Sequence, residues 1–197
     1  MARGRPTSFL SMRTSEAIRD RRSIKRFADR PVTREEIETI LDAAVLAPNH
    51  RLTNPWRFHV LGPESRAAYG LALGNRKAKK LTDPDAAQTM RDNVSREHRT
   101  LPAMIAVGVV TSDDPEQREE DYAATMMAVQ NIMLAAMELG LGTAIKTGAI
   151  MGDPAARAAA GVTDDERIVA VINLGVPADV PPPKGRRSAA EVTVWRP

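Results

Sequence analysis

Arg21-Arg22-Ser23-Ile24-Lys25-Arg26-Phe27 gathers four cations and a hydroxyl at what reads as one helix end. Donors in that density suit a phosphate-bearing ligand, because an anion takes charge-assisted hydrogen bonds from several of them at once. A solvated charged helix end has the same composition, so the block alone leaves both readings open. A second block follows: Ala47-Pro48-Asn49-His50, then Asn54-Pro55-Trp56-Arg57-Phe58. It is a proline-bounded loop, rich in side-chain acceptors, that feeds an apolar strand. Trp56 and Phe58 read as core residues opening that strand. Further on, Gly140-Leu141-Gly142-Thr143-Ala144-Ile145-Lys146-Thr147-Gly148 is either a plain helix-to-strand connection or a stretch whose small residues let backbone approach a flat ligand. Lys184-Gly185-Arg186 reads by itself as a soluble basic tail.

Those blocks need elements to hold them. Residues 1–13 read as a loosely ordered arm. Thr14 or Ser15 caps a helix running to about Arg22. Thr33 and Glu36 form a capping box opening a second helix, whose Ile37, Ile40, Leu41, Ala44 and Val45 share a face. Pro48 stops it, and Trp56 to Leu61 reads as a strand. Residues 64–99 read as two polar helices, interrupted near Gly74 and Asp83-Pro84, and carry the least information. The continuous apolar run 102–110 suits a buried strand. The longest helix, 119–139, is apolar on most sides, as a helix buried in a core or against a partner subunit would be. Gly140 suits its left-handed C-terminal cap. A short strand at 143–146, a helix opened by Asp153-Pro154 and closed by Gly161, and a buried strand at 167–174 follow. Residues 176–197 form an extended tail through Pro181-Pro182-Pro183, and Glu191 to Trp195 alternates like a strand with nothing local to pair with.

A chain of 197 residues suits one domain, and 43% hydrophobic with 27% charged residues is an ordinary globular balance. No cysteine is present, which excludes disulfides, thiolate catalysis and cysteine-based zinc sites. His50, His59 and His98 lack metal-ligand spacing, so no metal is expected. Neither a Gly-x-Gly-x-x-Gly turn nor a Gly-Lys-Ser/Thr loop occurs. No apolar run approaches the ~18 residues of a membrane span, and the N-terminus lacks the apolar core of a secretory signal. No membrane association and a cytoplasmic location are therefore expected. The net charge of +3 is dispersed between acidic stretches, and seven aromatic residues (two Tyr, three Phe, two Trp) form no stacking run. A nucleic-acid-associated module is thus disfavoured against a protein that attracts anionic cofactors.

The two N-terminal blocks, in this order and spacing, resemble the N-terminal half of the nitroreductase family. The resemblance covers most of the chain, least well over 64–99. It implies a nitroreductase-like α+β fold over a single domain, 1–197, with a central mixed or antiparallel sheet flanked by helices. It further implies an intertwined homodimer with two FMN sites at the interface, the tail 176–197 packing on the partner. The equivalents of Arg21, Arg22 and Ser23 hold the FMN phosphate and ribityl chain. The match to Lys25 lies near the flavin pyrimidine edge, and Lys184 with Arg186 completes the phosphate site. Residues 47–58 match the family's Ala-Pro-Ser-Ser-x-Asn-x-Gln-Pro-Trp with departures. Asn49 and His50 replace the serines, Asn54 replaces Gln, and Leu52 cannot supply the hydrogen bond of the usual Asn. Ala-Pro-Asx-His is similar to a subgroup of short NAD(P)H nitroreductases in which the His position contacts FMN from the other chain. The resemblance brings Leu46, Pro48, Asn49 and His50 to the cofactor, and sets Ile145, Lys146, Thr147 and Gly148 beside the isoalloxazine. The implied activity is ping-pong hydride transfer from NADH or NADPH, through non-covalent FMN, to a nitroaromatic or quinone. No catalytic side chain is required. A same-fold flavin binder with another substrate or no turnover is the alternative.

Overall fold

The computed structural model describes residues 12–197, so all but the last two residues of the arm expected at 1–13 lie outside the described part. Among the described residues four strands form one sheet: β1 (Trp56–Val60), β2 (Ala103–Val110), β3 (Gly142–Lys146) and β4 (Glu166–Gly175). Their spatial order is β1-β2-β4-β3, with every neighbouring pair antiparallel. β2 and the Ile168–Ile172 stretch of β4 read as unbroken apolar runs because both their faces are covered. Ile105, Val107, Val109, Ile172 and Leu174 face one cluster, and Met104, Ala106, Ile168 and Val171 face another. Each large side chain so buried contributes about 1.5–3 kcal/mol relative to exposure. A bulge between Val107 and Gly108 shifts the β2–β4 register, and Gly108 there leaves room for the Glu166 carboxylate, 2.8 Å from where a Cβ would sit.

The first cluster is roofed by α2 (Arg34–Ala44) and the 24-residue α5 (Pro115–Glu138), with α1 (Thr14–Asp20) beside them. α2 starts as expected: Thr33 accepts from the Glu36 N–H at 3.2 Å, and the Glu36 carboxylate accepts from the Thr33 N–H at 2.9 Å. Ile40 and Ala44 are buried, whereas Val45, placed on the same face by its spacing, lies past the helix end and is exposed. α5 buries Ala124, Ala128, Val129, Ile132 and Ala136 on one face but leaves Tyr122 and Met127 open on the other.

The second cluster is covered by α3 (Pro63–Ala78), α6 (Pro154–Ala160) and a 3-10 turn at Ala149–Gly152, with α4 (Pro84–Arg99) packed on α3. Gly74 does not interrupt a helix. It lies inside α3, where a Cβ would come 2.9 Å from the Arg91 Cα, so it is the point at which α4 crosses closely.

Other expectations change at the ends. α1 is preceded by Arg13, whose N–H donates to Glu16, rather than capped by Thr14 or Ser15, and it stops at Asp20 instead of Arg22. The C-terminal strand expected over 191–195 is not there. Ser188 and Glu191 form a capping box that opens a four-residue helix, α7 (Ala189–Val192), leaving Trp195 90% exposed.

Candidate functional site

Because α1 ends at Asp20, the Arg-Arg-Ser block leaves the helix as extended chain. Arg22 closes that end: its Nη1 donates to the carbonyls of Arg19 (2.8 Å) and Arg21 (3.0 Å), which a terminal turn leaves without partners. Arg21 is half-buried and Ser23 exposed, and neither side chain makes a hydrogen bond among the described residues. The chain then runs along the free edge of β3. Ser23 forms a parallel bridge with Thr143, the Ile24 N–H donating to the Thr143 carbonyl at 2.9 Å. It is this bridge, not a strand of the sheet, that carries the parallel component of the expected mixed sheet. Phe27 bridges Pro177, with the Ala28 N–H on the Val176 carbonyl at 2.8 Å. Gly142 permits the approach, since a Cβ there would lie 2.4 Å from Ile24 Cγ1 and 2.8 Å from Pro177 Cγ.

This stitching places Lys25 and Lys146 on one cleft of about 1000 Å³, between the second face of the sheet and α3 and α4. Thr147 borders it too, Leu73, Met104 and Val171 give it apolar surface, and Tyr69, Lys77 and His98 face it from the two helices. The segment 64–99 thus forms a wall of the cleft. Asn173 lines it as well, and its Oδ1 is buried without a partner among the described residues. Burial, with Asp153 adding to it, pushes the Tyr69 hydroxyl up to about 12. Burial holds His98 below the usual imidazole range.

The structure does not gather the other expected residues on that cleft. Gly148, with φ 126, faces a neighbouring groove of about 710 Å³ shared with Thr147, where Arg167 stacks over the Tyr122 ring at 5.1 Å. Ile145 is half-buried in β3. Leu46, 80% exposed, borders a third hollow beside Ala17 and Asn131. Lys184 and Arg186 are exposed in the tail, and Arg186 reaches no farther than the Gly185 carbonyl at 3.2 Å.

Pro48, Asn49 and His50 lie on the loop before β1, at the opposite edge of the sheet from β3. Asn49 folds that loop, its Oδ1 accepting from the Asn54 N–H at 2.8 Å. The buried Asp121 accepts from Thr53. His50 Nδ1 lies 2.9 Å from a Glu120 carboxylate oxygen, and Arg51 Nε donates to the other at 3.1 Å. These contacts hold Glu120 below the usual carboxylate range, His50 first. Leu52 and Asn54 have left-handed φ of 51° and 47°, which Asn tolerates better than Leu.

Sequence reasoning missed two features. Glu166 is buried, accepts from Thr163 at 2.9 Å and lies 2.6 Å from His59 Nε2. His98, Tyr69 and Lys77 of the cleft wall carried no motif that marked them.

Comparison with known proteins agrees with this architecture. Residues 18–176 match the profile described as the Nitroreductase family. A Bacillus subtilis protein provisionally named NAD(P)H nitroreductase YfhC is 34% identical over 171 residues, covering 87% of this chain and 88% of its own. The crystal structure of a nitroreductase-like family protein from Bacillus cereus superposes with a TM-score of 0.82 at 29% identity, over 96% of this chain and 99% of that one. A Desulfovibrio desulfuricans protein, provisionally named a nitroreductase and solved in complex with FMN, gives a TM-score of 0.69 at 28% identity, over 93% and 96%.

Proposed function

The chain belongs to the nitroreductase family, and we propose that it is an FMN-dependent oxidoreductase drawing on NADH or NADPH. The observation that carries the reading is the Ile24–Thr143 hydrogen bond at 2.9 Å. It ties the Arg-Arg-Ser-Ile-Lys block to the strand that bears Ile145 and Lys146 and leads into Thr147, and so sets donors from two distant stretches beside one cleft.

The residues present fit FMN. Arg21 and Ser23 keep uncommitted donors for an anion, and Arg22 spends one nitrogen on α1. Lys25 and Lys146 set ammonium groups against a cleft with apolar floor residues, Met104 and Val171, and an orphaned acceptor, Asn173 Oδ1. Arg21, Arg22 and Ser23, with Lys184 and Arg186, would hold the phosphate end. Lys25 and residues 145–148 would hold the ring. The chemistry FMN supplies when bound is two-electron transfer, taken from NADH or NADPH and given to a nitroaromatic or quinone in alternate half-reactions. The protein contributes position, charge and exclusion of water, and no side chain acts as a nucleophile.

The site is shared between two copies of a single-domain chain. Tyr122 and Met127 of α5, together with Leu46 and Leu52, offer apolar surface for such a homodimer, and the exposed Val194 and Trp195 give the tail something to bury on the partner. His50 would then reach the cofactor of the other subunit.

The test is an absorbance spectrum of the purified protein. A flavin band that bleaches with NADH or NADPH under anaerobic conditions and returns with menadione or a nitrofuran is the expected result. Parallel double-reciprocal plots would support alternate half-reactions. A colourless protein that takes up no FMN refutes the proposal.

A further inference from the structure

We infer that Glu120 is a positioning residue: its carboxylate fixes the hydrogen of His50 on Nδ1 and leaves Nε2 to deliver a proton to the electron acceptor. The inference rests on the oxidoreductase reading, in which His50 meets the flavin of the other subunit, and it deepens that site. A quinone that becomes a hydroquinone gains two electrons and two protons. A hydride brings both electrons and one proton, so the second proton has to come from a protein group or from solvent. The titratable rings on the cleft wall are poor sources. Tyr69, pushed up to about 12, holds its proton too firmly, and His98, held by burial below the usual imidazole range, carries too little of one near neutrality.

Geometry favours His50 instead. An ionised carboxylate only accepts, so Nδ1, 2.9 Å from a Glu120 oxygen, must donate, and Nε2 is the atom left open on a side chain 75% exposed. Glu120 cannot turn away, because Arg51 Nε donates to its other oxygen at 3.1 Å. The hydrogen bond from His50, ahead of the charge of Arg51, holds Glu120 below the usual carboxylate range, so it stays ionised through neutrality. The charges around the ring are unequal. Arg51 is faced by Asp114 at 3.5 Å and Glu116 at 3.7 Å as well as by Glu120. Three carboxylates to one guanidinium suit a ring that becomes charged when Nε2 takes a proton from solvent. The Glu120 carboxylate orients the charged ring, the Nε2–H bond breaks as an O–H bond forms on the acceptor, and solvent reloads Nε2. The loop itself does not hang on Glu120. The buried Asp121 accepts from Thr53, and Asn49 Oδ1 accepts from the Asn54 N–H at 2.8 Å.

The FMN-loaded protein is reduced with NADH or NADPH in a stopped-flow instrument, then reoxidised with menadione, which needs a proton, or with ferricyanide, which takes electrons alone. At pH 7 the menadione rate should fall about 100-fold in His50→Gln and about 3- to 10-fold in Glu120→Gln. Flavin reduction and the ferricyanide rate should hold in both variants, and added imidazole should restore part of the menadione rate to His50→Gln. Nitrogen NMR of labelled histidine in the flavin-free protein at pH 8 should place the His50 hydrogen on Nδ1, and show both tautomers in Glu120→Ala. Menadione rates that neither variant moves, or rates with all three reagents falling together, overturn this inference, while a flavin that still bleaches leaves the reductase reading standing. A wild type that only ferricyanide reoxidises overturns it as well. A His50 hydrogen found on Nε2 overturns the role of Glu120 independently of any flavin. A protein that takes up no FMN overturns both readings.

Discussion

Gly142→Ala tests the step on which the site depends. A new Cβ would stand 2.4 Å from Ile24 Cγ1, 3.1 Å from Ile24 Cβ and 2.8 Å from Pro177 Cγ, where carbon atoms settle at about 3.5–4.0 Å. Ile24 is 3% exposed and its N–H is fixed to Thr143, so the side chain cannot swing into solvent. Overpacking of this kind costs about 1–3 kcal/mol, offset by about 0.4–1 kcal/mol from the stiffer unfolded chain. The net loss of about 1–2 kcal/mol lowers Tm by about 2–8 °C in a domain of this size. The wedge acts on the segment carrying Ser23 and Lys25, so flavin content falls as well. Differential scanning fluorimetry and the ratio of flavin to protein absorbance read the two effects. Gly152→Ala, with no atom within 4 Å of the added carbon, is the control. Ile24→Ala removes the nearest of the clashing atoms and leaves the Pro177 contact, so the double variant should be less destabilised than the sum of the singles by about 0.5 kcal/mol or more. Additive singles, or a Gly142→Ala protein with wild-type Tm and flavin content, would refute the claim that the Ile24–Thr143 contact positions the basic block.

Arg21→Ala and Arg186→Ala should weaken FMN binding about 10- to 100-fold, and Ser23→Ala about 2- to 10-fold, with the Tm of the flavin-free protein little changed; unchanged affinities in a fluorescence titration of all three would mean the phosphate lies elsewhere. Gly74→Ala, which would stabilise an exposed helix by about 1 kcal/mol, should instead cost about 1–3 kcal/mol, because the new carbon meets Arg91 backbone; a raised urea midpoint refutes the crossing. His98 has a folded pKa lowered by burial, so the native state binds fewer protons than the unfolded chain. Its contribution is present above about pH 6.5 and lost as pH falls through the folded value. Urea midpoints at pH 8 and pH 5 should differ less in His98→Gln than in the wild type, and equal differences would place His98 in a solvated setting.

The central strands were legible because covering both faces of β2 and of the middle of β4 demands apolar runs, and Thr33, Asp153 and Gly161 announced helix ends through their own side-chain or backbone chemistry. Gly74 and Gly161 show where that legibility stops. One has φ 69 and closes α6; the other sits inside α3 because a neighbouring helix comes too close for a Cβ. Composition cannot distinguish a glycine that turns from a glycine that is crossed. At the C-terminus two local signals conflict. Glu191 to Trp195 alternates like a strand, while Ser188 and Glu191 have capping-box spacing. Without a partner strand among the described residues to reward extension, the cap prevails over four residues.

The candidate site was half legible for a related reason. Contiguous donors such as Arg21, Arg22 and Ser23 stand out in a sequence, but a cleft wall built one residue per turn does not. Tyr69, Lys77 and His98 have the spacing of an ordinary polar helix face, and the packing of α3 and α4 alone decides that this face looks inward. Register makes a further point that no motif contains. Trp56 is level with Arg167 through Val109, and Lys146 is level with Val171. The two lie three strand spacings apart sideways and four residues apart along the strands, which is about 14 Å by 13 Å, or about 19 Å in all. The loop bearing His50 leads into the first position and is fastened to α5 through Glu120, while the second is fastened to Ile24's segment through Thr143. The separation favours the proposed reading, in which His50 meets the flavin of the other chain, and on that reading a monomeric variant should lose its flavin, read as flavin absorbance in the monomer fraction from gel filtration.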